Sequence, residues 1–289
     1  MHKSHSHQSE KRSEYGHTML ITVVIACVAA LVLYLHNISL WYIPLGVIGL
    51  MIVHLALAGG VAVWIKRTRK GTSGESGGIT LHNPRLYDLE ARICTVGQES
   101  RLRQWTLDLA DLRPGNKVLD VGCGTGTLLL ASAERVGTAG ELHGVEPSAE
   151  MRGHAQHKAE ERGINLEVAD GSADRLPYPS GSFDAVFCTL AFHHFPQPMR
   201  RNAIQEIRRV LRPGGVAVIV DWQRPTSLLK ALASPVFLVY LVHSFAPRDA
   251  QLDVAGISQQ FKELGFGEVT GHSFGPGGTV GAVVGRLES

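Results

Sequence analysis

The residues of this chain best suited to binding a ligand are three glycines at alternate positions, Gly122, Gly124 and Gly126. They follow an apolar, strand-like run and precede a helix-like run at 127–136. A turn with almost no side chains lets a ligand lie against backbone N–H groups at the N-terminus of a helix. The spacing therefore predicts a site for a flat, polar ligand, and a tight turn that binds nothing is the alternative.

An acidic residue follows the glycines at a distance that suits a nucleoside ligand. Glu146 ends the next strand-like run about twenty residues further on, where a carboxylate can accept two hydrogen bonds from ribose hydroxyls. This feature alone suits a nicotinamide cofactor equally well, and an exposed Glu before a helix start is its structural alternative. A dinucleotide fingerprint would, however, place its third glycine at position 127, where this chain has Thr127.

Strand and helix patterns alternate along the rest of the chain. They follow a segment, 83–112, whose apolar residues recur at helical spacing. The predicted strands are 117–121, 141–146, 165–169, 185–189 and 216–222, and the predicted helices are 127–136, 149–162, 197–211 and 254–264. Such alternation indicates an α/β fold with a doubly wound, mostly parallel sheet, whose ligands bind at the carboxyl ends of the strands. Strand-like runs at 268–274 and 279–287 predict a closing antiparallel hairpin.

The order of these motifs resembles that of the class I S-adenosylmethionine-dependent methyltransferases. The Gly-x-Gly-x-Gly form, with Asp120 two residues before it, is similar to their motif I. The Phe183-Asp184 strand, the His193-His194 loop and the turn at 211–215 (Leu-Arg-Pro-Gly-Gly) resemble the ubiquinone/menaquinone-type branch. The resemblance covers roughly residues 80–289. It implies a Rossmann-like, seven-stranded sheet and S-adenosylmethionine as cofactor, but it does not specify the substrate.

The resemblance also implies which residues bind the cofactor. The loop at 169–178 is similar to the third family motif, although Ser172 stands where the family has an acidic residue; Asp170, or backbone contacts from Ser172 and Ala173, would then recognise adenine. Met151, three residues after the predicted N-cap Ser148, would face the adenine, although Met on a helix more often packs in a core. The predicted cofactor-binding residues are Asp120, Gly122, Gly124, Thr125, Gly126, Glu146, Met151, Asp170, Gly171, Ser172, Ala173, Thr189 and Leu190.

Two adjacent histidines, His193 and His194, are the predicted catalytic residues. A sulfonium is already an activated leaving group, so methyl transfer depends mainly on an in-line approach of the acceptor. For a phenol or an acidic carbon, a base accelerates the reaction by about 100- to 10,000-fold, and the resemblance places both histidines next to the methyl position. A phospholipid amine would need only a neutral nitrogen. Packing against the following helix is the structural alternative for each histidine.

The chain before this domain predicts a membrane anchor. Two runs, 19–35 and 43–65, contain no Asp, Glu, Lys or Arg. The second run is long enough to cross a bilayer, and the first is nearly long enough. Lys and Arg flank the pair but are absent from the connecting loop, so the positive-inside rule predicts an integral membrane protein with both termini and the catalytic domain in the cytoplasm. A cleaved signal peptide is the alternative for the first segment. The predicted division is a polar tail at 1–17, a two-helix transmembrane hairpin at 18–66, a basic Gly/Ser linker at 67–80 and the methyltransferase domain at 81–289.

A second apolar segment, 225–247, predicts the character of the methyl acceptor. It is too apolar for an ordinary surface loop, and because Lys230 and Pro235 interrupt it we favour a lid over the active site rather than a third membrane span. A lid near an anchor predicts a hydrophobic acceptor such as a quinone precursor or a lipid. One alternative is that the acceptor is a soluble metabolite. Another is that the protein is a pseudoenzyme that acts only as a membrane scaffold.

Composition excludes other kinds of partner. The formal net charge is only +2 and the domain has no basic stripe with aromatic residues, which argues against a nucleic-acid partner. The four cysteines form no Cys-x-x-Cys pair, so the sequence predicts neither a disulfide nor a metal site. Composition says nothing of the oligomeric state.

Overall fold

The computed structural model describes residues 84, 87, 88, 91, 92, 98–227, 251–275 and 277–289. The predicted tail, transmembrane hairpin and linker, and nearly all of the apolar segment 225–247, lie outside the described residues. Among the residues that are described, no helix is both long enough and apolar enough to cross a membrane.

The described elements alternate between helix and strand as the sequence predicts. In chain order they are α1 (Glu99–Asp108), β1 (Lys117–Val121), α2 (Thr127–Val136), β2 (Glu141–Val145), α3 (Ala149–Glu160), β3 (Leu166–Ala169), β4 (Phe183–Thr189), a 3-10 turn (Phe192–His194), α4 (Gln197–Val210), β5 (Leu211–Trp222), α5 (Val254–Glu263), β6 (Glu268–Phe274) and β7 (Val280–Arg286). Five earlier residues, Pro84, Tyr87, Asp88, Ala91 and Arg92, are also helical. We call these five the N-terminal helical residues.

The strands form one seven-stranded sheet in the order β3-β2-β1-β4-β5-β7-β6. Strands β1 to β5 are parallel to their neighbours, whereas β7 pairs antiparallel with both β5 and β6. The predicted doubly wound sheet with a closing antiparallel hairpin is therefore confirmed. The strand order reverses between β1 and β4, and their carboxyl ends mark the topological switch point where such sheets bind ligands.

The sheet buries apolar side chains on both faces, because helices cover each of them. Neighbouring residues alternate between two clusters: Leu119 and Val186 pack on the face covered by α4 and α5, whereas Val118 and Phe187 pack on the face covered by α1, α2 and α3. This explains the nearly continuous apolar composition of the strands. Each large apolar side chain buried in this way contributes about 1.5–3 kcal/mol, so the core holds the carboxyl ends of the strands in fixed positions.

The predicted start of the fifth strand was wrong. β5 begins at Leu211, five residues before the predicted start at 216, because Leu211 already pairs with Phe183 of β4 before a register shift. The shift accommodates Pro213, which cannot donate a ladder hydrogen bond. Smaller differences, such as β2 ending at Val145 rather than Glu146, lie at the ends of elements.

Candidate functional site

The glycine turn lies at the carboxyl end of β1 and is attached to the neighbouring strand. The backbone N–H groups of Gly122 and Cys123 both donate to the carbonyl of Val145, at 2.8 and 3.2 Å. Gly122 has φ +72°, and a Cβ there would lie 2.8 Å from the Cβ of Ala191 in the loop after β4. The glycine therefore allows the loops after β1 and β4 to meet at the switch point.

The other two glycines differ in what surrounds them. A Cβ on Gly126 would lie 2.9 Å from the Cβ of Ala155, so this glycine lets α3 approach the turn. A Cβ on Gly124 would meet only the ring of Tyr87, at an ordinary contact distance of 3.6 Å. Two of the three glycines thus serve packing, whereas the space beside Gly124 is bounded by a side chain from the N-terminal helical residues.

Glu146 lies directly across the glycine turn. Its Oε2 accepts a hydrogen bond from the N–H of Gly124 at 3.0 Å, and its Oε1 accepts one from the N–H of Ser148 at 3.0 Å. The residue is 8% exposed. Burial raises the pKa of this carboxyl, and the two N–H donors act in the opposite direction. The structure therefore brings together two features that the sequence separates by 22 positions.

Asp120 is a buried carboxyl with one oxygen that has no hydrogen-bond partner within the described part of the chain. It is 3% exposed, and its Oδ1 has no hydrogen-bond partner among the described residues. Burial raises the pKa of Asp120 well above its ordinary value, and the nearby charge of Glu146 raises it further. Since buried polar atoms in proteins are almost always paired, this oxygen suits a hydrogen-bond donor or a cation supplied by a ligand.

The loop after β3 is held by internal contacts. Arg152 of α3 donates to the carbonyl of Glu146 at 2.7 Å and pairs with Asp170 at 3.1 Å. Ser172 donates its hydroxyl hydrogen to the carboxylate of Asp174, so this side chain bonds within its own loop. A Cβ on Gly171 would lie 3.0 Å from a methyl group of Val145, which explains the close approach of the loop to β2.

Three more of the predicted cofactor residues are placed beside these loops. Ala173 is 5% exposed and packs in the core cluster under α4. Met151 is 1% exposed, and its N–H donates to Ser148 Oγ at 3.3 Å, which confirms Ser148 as the N-cap of α3. Thr125 follows Gly124 in the turn, and its hydroxyl donates to Asp88, as described below.

The end of β4 carries two local irregularities at the switch point. The buried hydroxyl of Thr189 has no hydrogen-bond partner within the described part of the chain. The next residue, Leu190, has φ +53°, a left-handed conformation that is costly for a branched side chain. Such strain concentrates at functional sites. Here the left-handed residue lies at the start of the loop that carries the two histidines.

His193 pairs with a carboxylate that the sequence analysis missed. Asp221, on β5, is 0% exposed and faces His193 with both oxygens. The ring Nδ1 of His193 lies 2.8 Å from Oδ1, and its backbone N–H donates to Oδ2 at 2.8 Å. The ring of His194 lies beside it, tilted by 45°, with ring centroids 3.8 Å apart. The only signal in the sequence was an acidic residue at the end of an otherwise apolar strand.

The N-terminal helical residues also contribute groups that the sequence analysis missed. The hydroxyl of Thr125 donates to Asp88 Oδ1 at 2.6 Å, and Lys158 Nζ of α3 donates to Asp88 Oδ2 at 3.1 Å. Lys158 also donates to Thr127 at 3.2 Å. Burial lowers the pKa of Lys158, and Asp88 counteracts this effect. No local pattern predicts these contacts, because Asp88 lies 70 positions before Lys158.

Comparison with known proteins agrees with this geometry. A family model described as a methyltransferase domain matches residues 118–215. Residues 118–215 therefore form a methyltransferase domain. The methyltransferase domain contains the glycine turn, Glu146 and the two histidines, whereas Asp221 and the N-terminal helical residues lie outside the matched range.

Two curated relatives are similar to the methyltransferase domain. The demethylmenaquinone methyltransferase of Thermus thermophilus is 36% identical over 139 residues, which cover 48% of this chain and 62% of the relative. The ubiquinone/menaquinone biosynthesis C-methyltransferase of Pseudomonas fluorescens is 30% identical over 162 residues, 55% of this chain and 60% of the relative. The chain thus spans less than two thirds of the length of either relative.

Solved structures share the fold of the methyltransferase domain. An S-adenosylmethionine-dependent methyltransferase from Aquifex aeolicus superposes with a TM-score of 0.53 at 22% identity, covering 72% of this chain and 100% of that one. A phosphoethanolamine N-methyltransferase from Haemonchus contortus, in complex with S-adenosylmethionine, has a TM-score of 0.53 at 16% identity and covers 65% of this chain and 53% of that one. At such identities the likeness concerns the fold alone.

Proposed function

We propose that this protein transfers a methyl group from S-adenosylmethionine to a hydrophobic acceptor, either a quinone precursor or a lipid. The observation that carries the proposal is the position of Glu146 on the glycine turn, with its carboxylate 3.0 Å from the N–H of Gly124. A buried carboxylate beside bare backbone at the end of β1 is the arrangement that suits a ribose next to a helix N-terminus.

The residues at this edge of the sheet fit the cofactor. Glu146 would accept hydrogen bonds from the ribose hydroxyls. Asp120, whose Oδ1 has no partner among the described residues, would face the cationic part of the cofactor. The loop after β3 would border the adenine through Gly171 and Ala173, with Met151 beneath it. When bound, S-adenosylmethionine supplies an electrophilic methyl group, and its sulfur leaves with the electron pair of the broken bond.

The acceptor is inferred from a different set of observations. Both curated relatives are named for quinone methylation. The sequence of this chain also contains the apolar segment 225–247 and the two uncharged runs before the domain. A bilayer-dissolved acceptor would suit an enzyme anchored on the cytoplasmic side of a membrane with an apolar lid over its site. We therefore extend the proposal to a membrane-anchored enzyme.

Labelled cofactor tests the proposal directly. Membranes containing the full chain are incubated with S-adenosylmethionine labelled in the methyl group, and lipids are then extracted into organic solvent. We expect the label in a lipid-soluble product, and much less of it at limiting cofactor when Glu146 is replaced by Ala. Label only in water-soluble products would favour a soluble metabolite. A purified chain that binds no cofactor by calorimetry would favour a pseudoenzyme.

A further inference from the structure

Asp221 bonds to His193 at two separate atoms. One carboxylate oxygen accepts from the backbone N–H of His193 and the other faces the ring Nδ1, each at 2.8 Å. The N–H of Trp222 adds a third hydrogen bond, to Oδ1, also at 2.8 Å. Three donors compensate for the complete burial of this carboxylate, which would otherwise be costly. The carboxylate therefore holds both the backbone and the ring of one histidine.

The ring contact determines how His193 can move a proton. An ionised carboxylate accepts hydrogen bonds and cannot donate them, so the nitrogen that faces it carries the hydrogen. In the neutral ring the proton then resides on Nδ1, and Nε2, on the opposite side of the ring, keeps its lone pair. A carboxylate that served only to cap the 3-10 turn would need the backbone bond alone.

We propose that Asp221 is a positioning residue that holds His193 in the Nδ1–H tautomer, so that Nε2 accepts a proton from the methyl acceptor. This inference rests on the proposed methyl transfer and narrows the class of acceptor. The acceptor must lose a proton during the reaction, as a phenol, an enol or a carbon made acidic by a neighbouring carbonyl does. A neutral amine, which can attack without losing a proton first, does not need this pair.

The proton and electron balance is complete without another reactant. The acceptor's O–H or C–H bond breaks, its proton passes to Nε2, and its electron pair remains on the acceptor. That pair, or a ring π pair when a phenolate reacts at carbon, forms the new bond to the methyl carbon as the S–C bond breaks and its electron pair stays on sulfur. A phenol methylated on carbon then loses the ring C–H proton and regains its O–H proton. His193 becomes an imidazolium whose charge the Asp221 carboxylate stabilises, and the proton returns to water after the product leaves. The arrangement follows the general logic of a base oriented by a buried carboxylate.

The tautomer can be measured without any acceptor. Histidine labelled with nitrogen-15 is incorporated into the full chain, and long-range proton–nitrogen NMR reports which ring nitrogen carries hydrogen. The His193 signals are assigned by their loss in the His193→Gln variant. We expect the Nδ1–H form in the unmodified protein and its loss in Asp221→Asn, whose amide can donate to Nδ1. An Nε2–H form in the unmodified protein would overturn the proposal.

Kinetics then tests the consequence for the reaction. The acceptors are dithionite-reduced demethylmenaquinone, a quinol, and vesicles of phosphatidylethanolamine, an amine. We expect His193→Gln to lower kcat on the quinol by about 100-fold or more and Asp221→Asn to lower it by about tenfold or more, with little change in cofactor affinity. Asp221→Glu should restore part of the loss. An undiminished kcat in Asp221→Asn, or methylation of the amine alone, would overturn the proposal.

The matched control is Asp184→Asn. Asp184 is a buried carboxylate at the opposite end of β4, where it accepts from the N–H of Lys117 at 2.6 Å. Its loss should lower stability without changing the His193 tautomer or kcat. If the unmodified protein fails to bind S-adenosylmethionine, the proposed function fails, whereas the NMR result still decides whether Asp221 holds the tautomer.

Discussion

The hydroxyl of Thr125 donates a hydrogen bond to the carboxylate of Asp88 across 2.6 Å, which attaches the N-terminal helical residues to the glycine turn. Lys158 binds the second oxygen of Asp88, and His154 lies 3.4 Å from the same oxygen. The neighbouring ring of Tyr87 covers the space beside Gly124. A segment that precedes the matched methyltransferase domain therefore forms one wall of its candidate site.

Replacing Asp88 by Ala is expected to weaken this attachment. The half-buried Lys158 and the Thr125 hydroxyl would lose their acceptor, so the free energy of unfolding should fall by about 1 kcal/mol. Urea denaturation of both proteins measures the difference. The control is Asp108→Ala, which removes an exposed partner of Arg135 and should cost less than about 0.5 kcal/mol. Equal losses in the two variants would mean that the Asp88 contacts are no stronger than a surface ion pair.

Gly122→Ala should lower the free energy of unfolding far more than Gly115→Ala. Both residues have positive φ, so Gly→Ala at either position costs about 1 kcal/mol in backbone strain. A Cβ on Gly115 meets nothing within 4 Å, whereas one on Gly122 would lie 2.8 Å from Ala191. Overpacking should add about 1–3 kcal/mol at Gly122 alone. Thermal denaturation compares the two, and similar melting temperatures would argue against the close contact of the two loops.

Glu146→Gln should weaken cofactor binding without unfolding the domain. The amide keeps the size of the side chain but loses the charge that strengthens hydrogen bonds to ribose hydroxyls, a loss of about 1.5–3 kcal/mol, or roughly 10- to 100-fold in Kd. Calorimetry with S-adenosylmethionine measures it. Glu141→Gln, at the exposed start of β2, the strand that precedes Glu146, is the control and should bind normally. Equal affinity in both variants would place the ribose site elsewhere.

The contribution of Asp120 to the stability of the protein without cofactor should fall as the pH rises. Burial, and then Glu146, raise its pKa above the ordinary value of about 3.9 that it has in the unfolded chain. Between that value and the higher folded-state pKa, the native state binds more protons than the unfolded state, so the free energy of unfolding decreases with pH. Residue 120 cannot ionise in Asp120→Asn, so above about pH 4 the free energy of unfolding of the variant should fall less, or rise more, with pH than that of the unmodified protein.

Urea denaturation at several pH values tests this prediction. Glu146 remains in the variant, and its own pKa is raised in the same direction, so its contribution to the slope should remain. Identical slopes in the two proteins would show that Asp120 is not held protonated by its surroundings.

Much of the fold followed from local patterns. Strand and helix order was predictable because the apolar period changes between two and about 3.6 residues, and because Pro and Gly mark the turns. The N-cap Ser148 was predictable for the same reason, since a cap bonds to a residue only three positions away. The start of β5 was not, because Leu211 joins the strand only through its pairing with Phe183.

The candidate site also has a part that the sequence predicted and a part that only the folded structure shows. The glycine turn, Glu146 and the two histidines could be read from the chain because each lies at the end of a predicted strand, and parallel strands bring their carboxyl ends to one edge. Which atoms meet there depended on folding. Asp221 reaches His193 across 28 positions and Asp88 reaches Thr125 across 37, through the pairing of strands and the approach of a separate helix. Local periodicity carries no information about such contacts, because they form only when the packed core brings distant segments within a hydrogen bond's length.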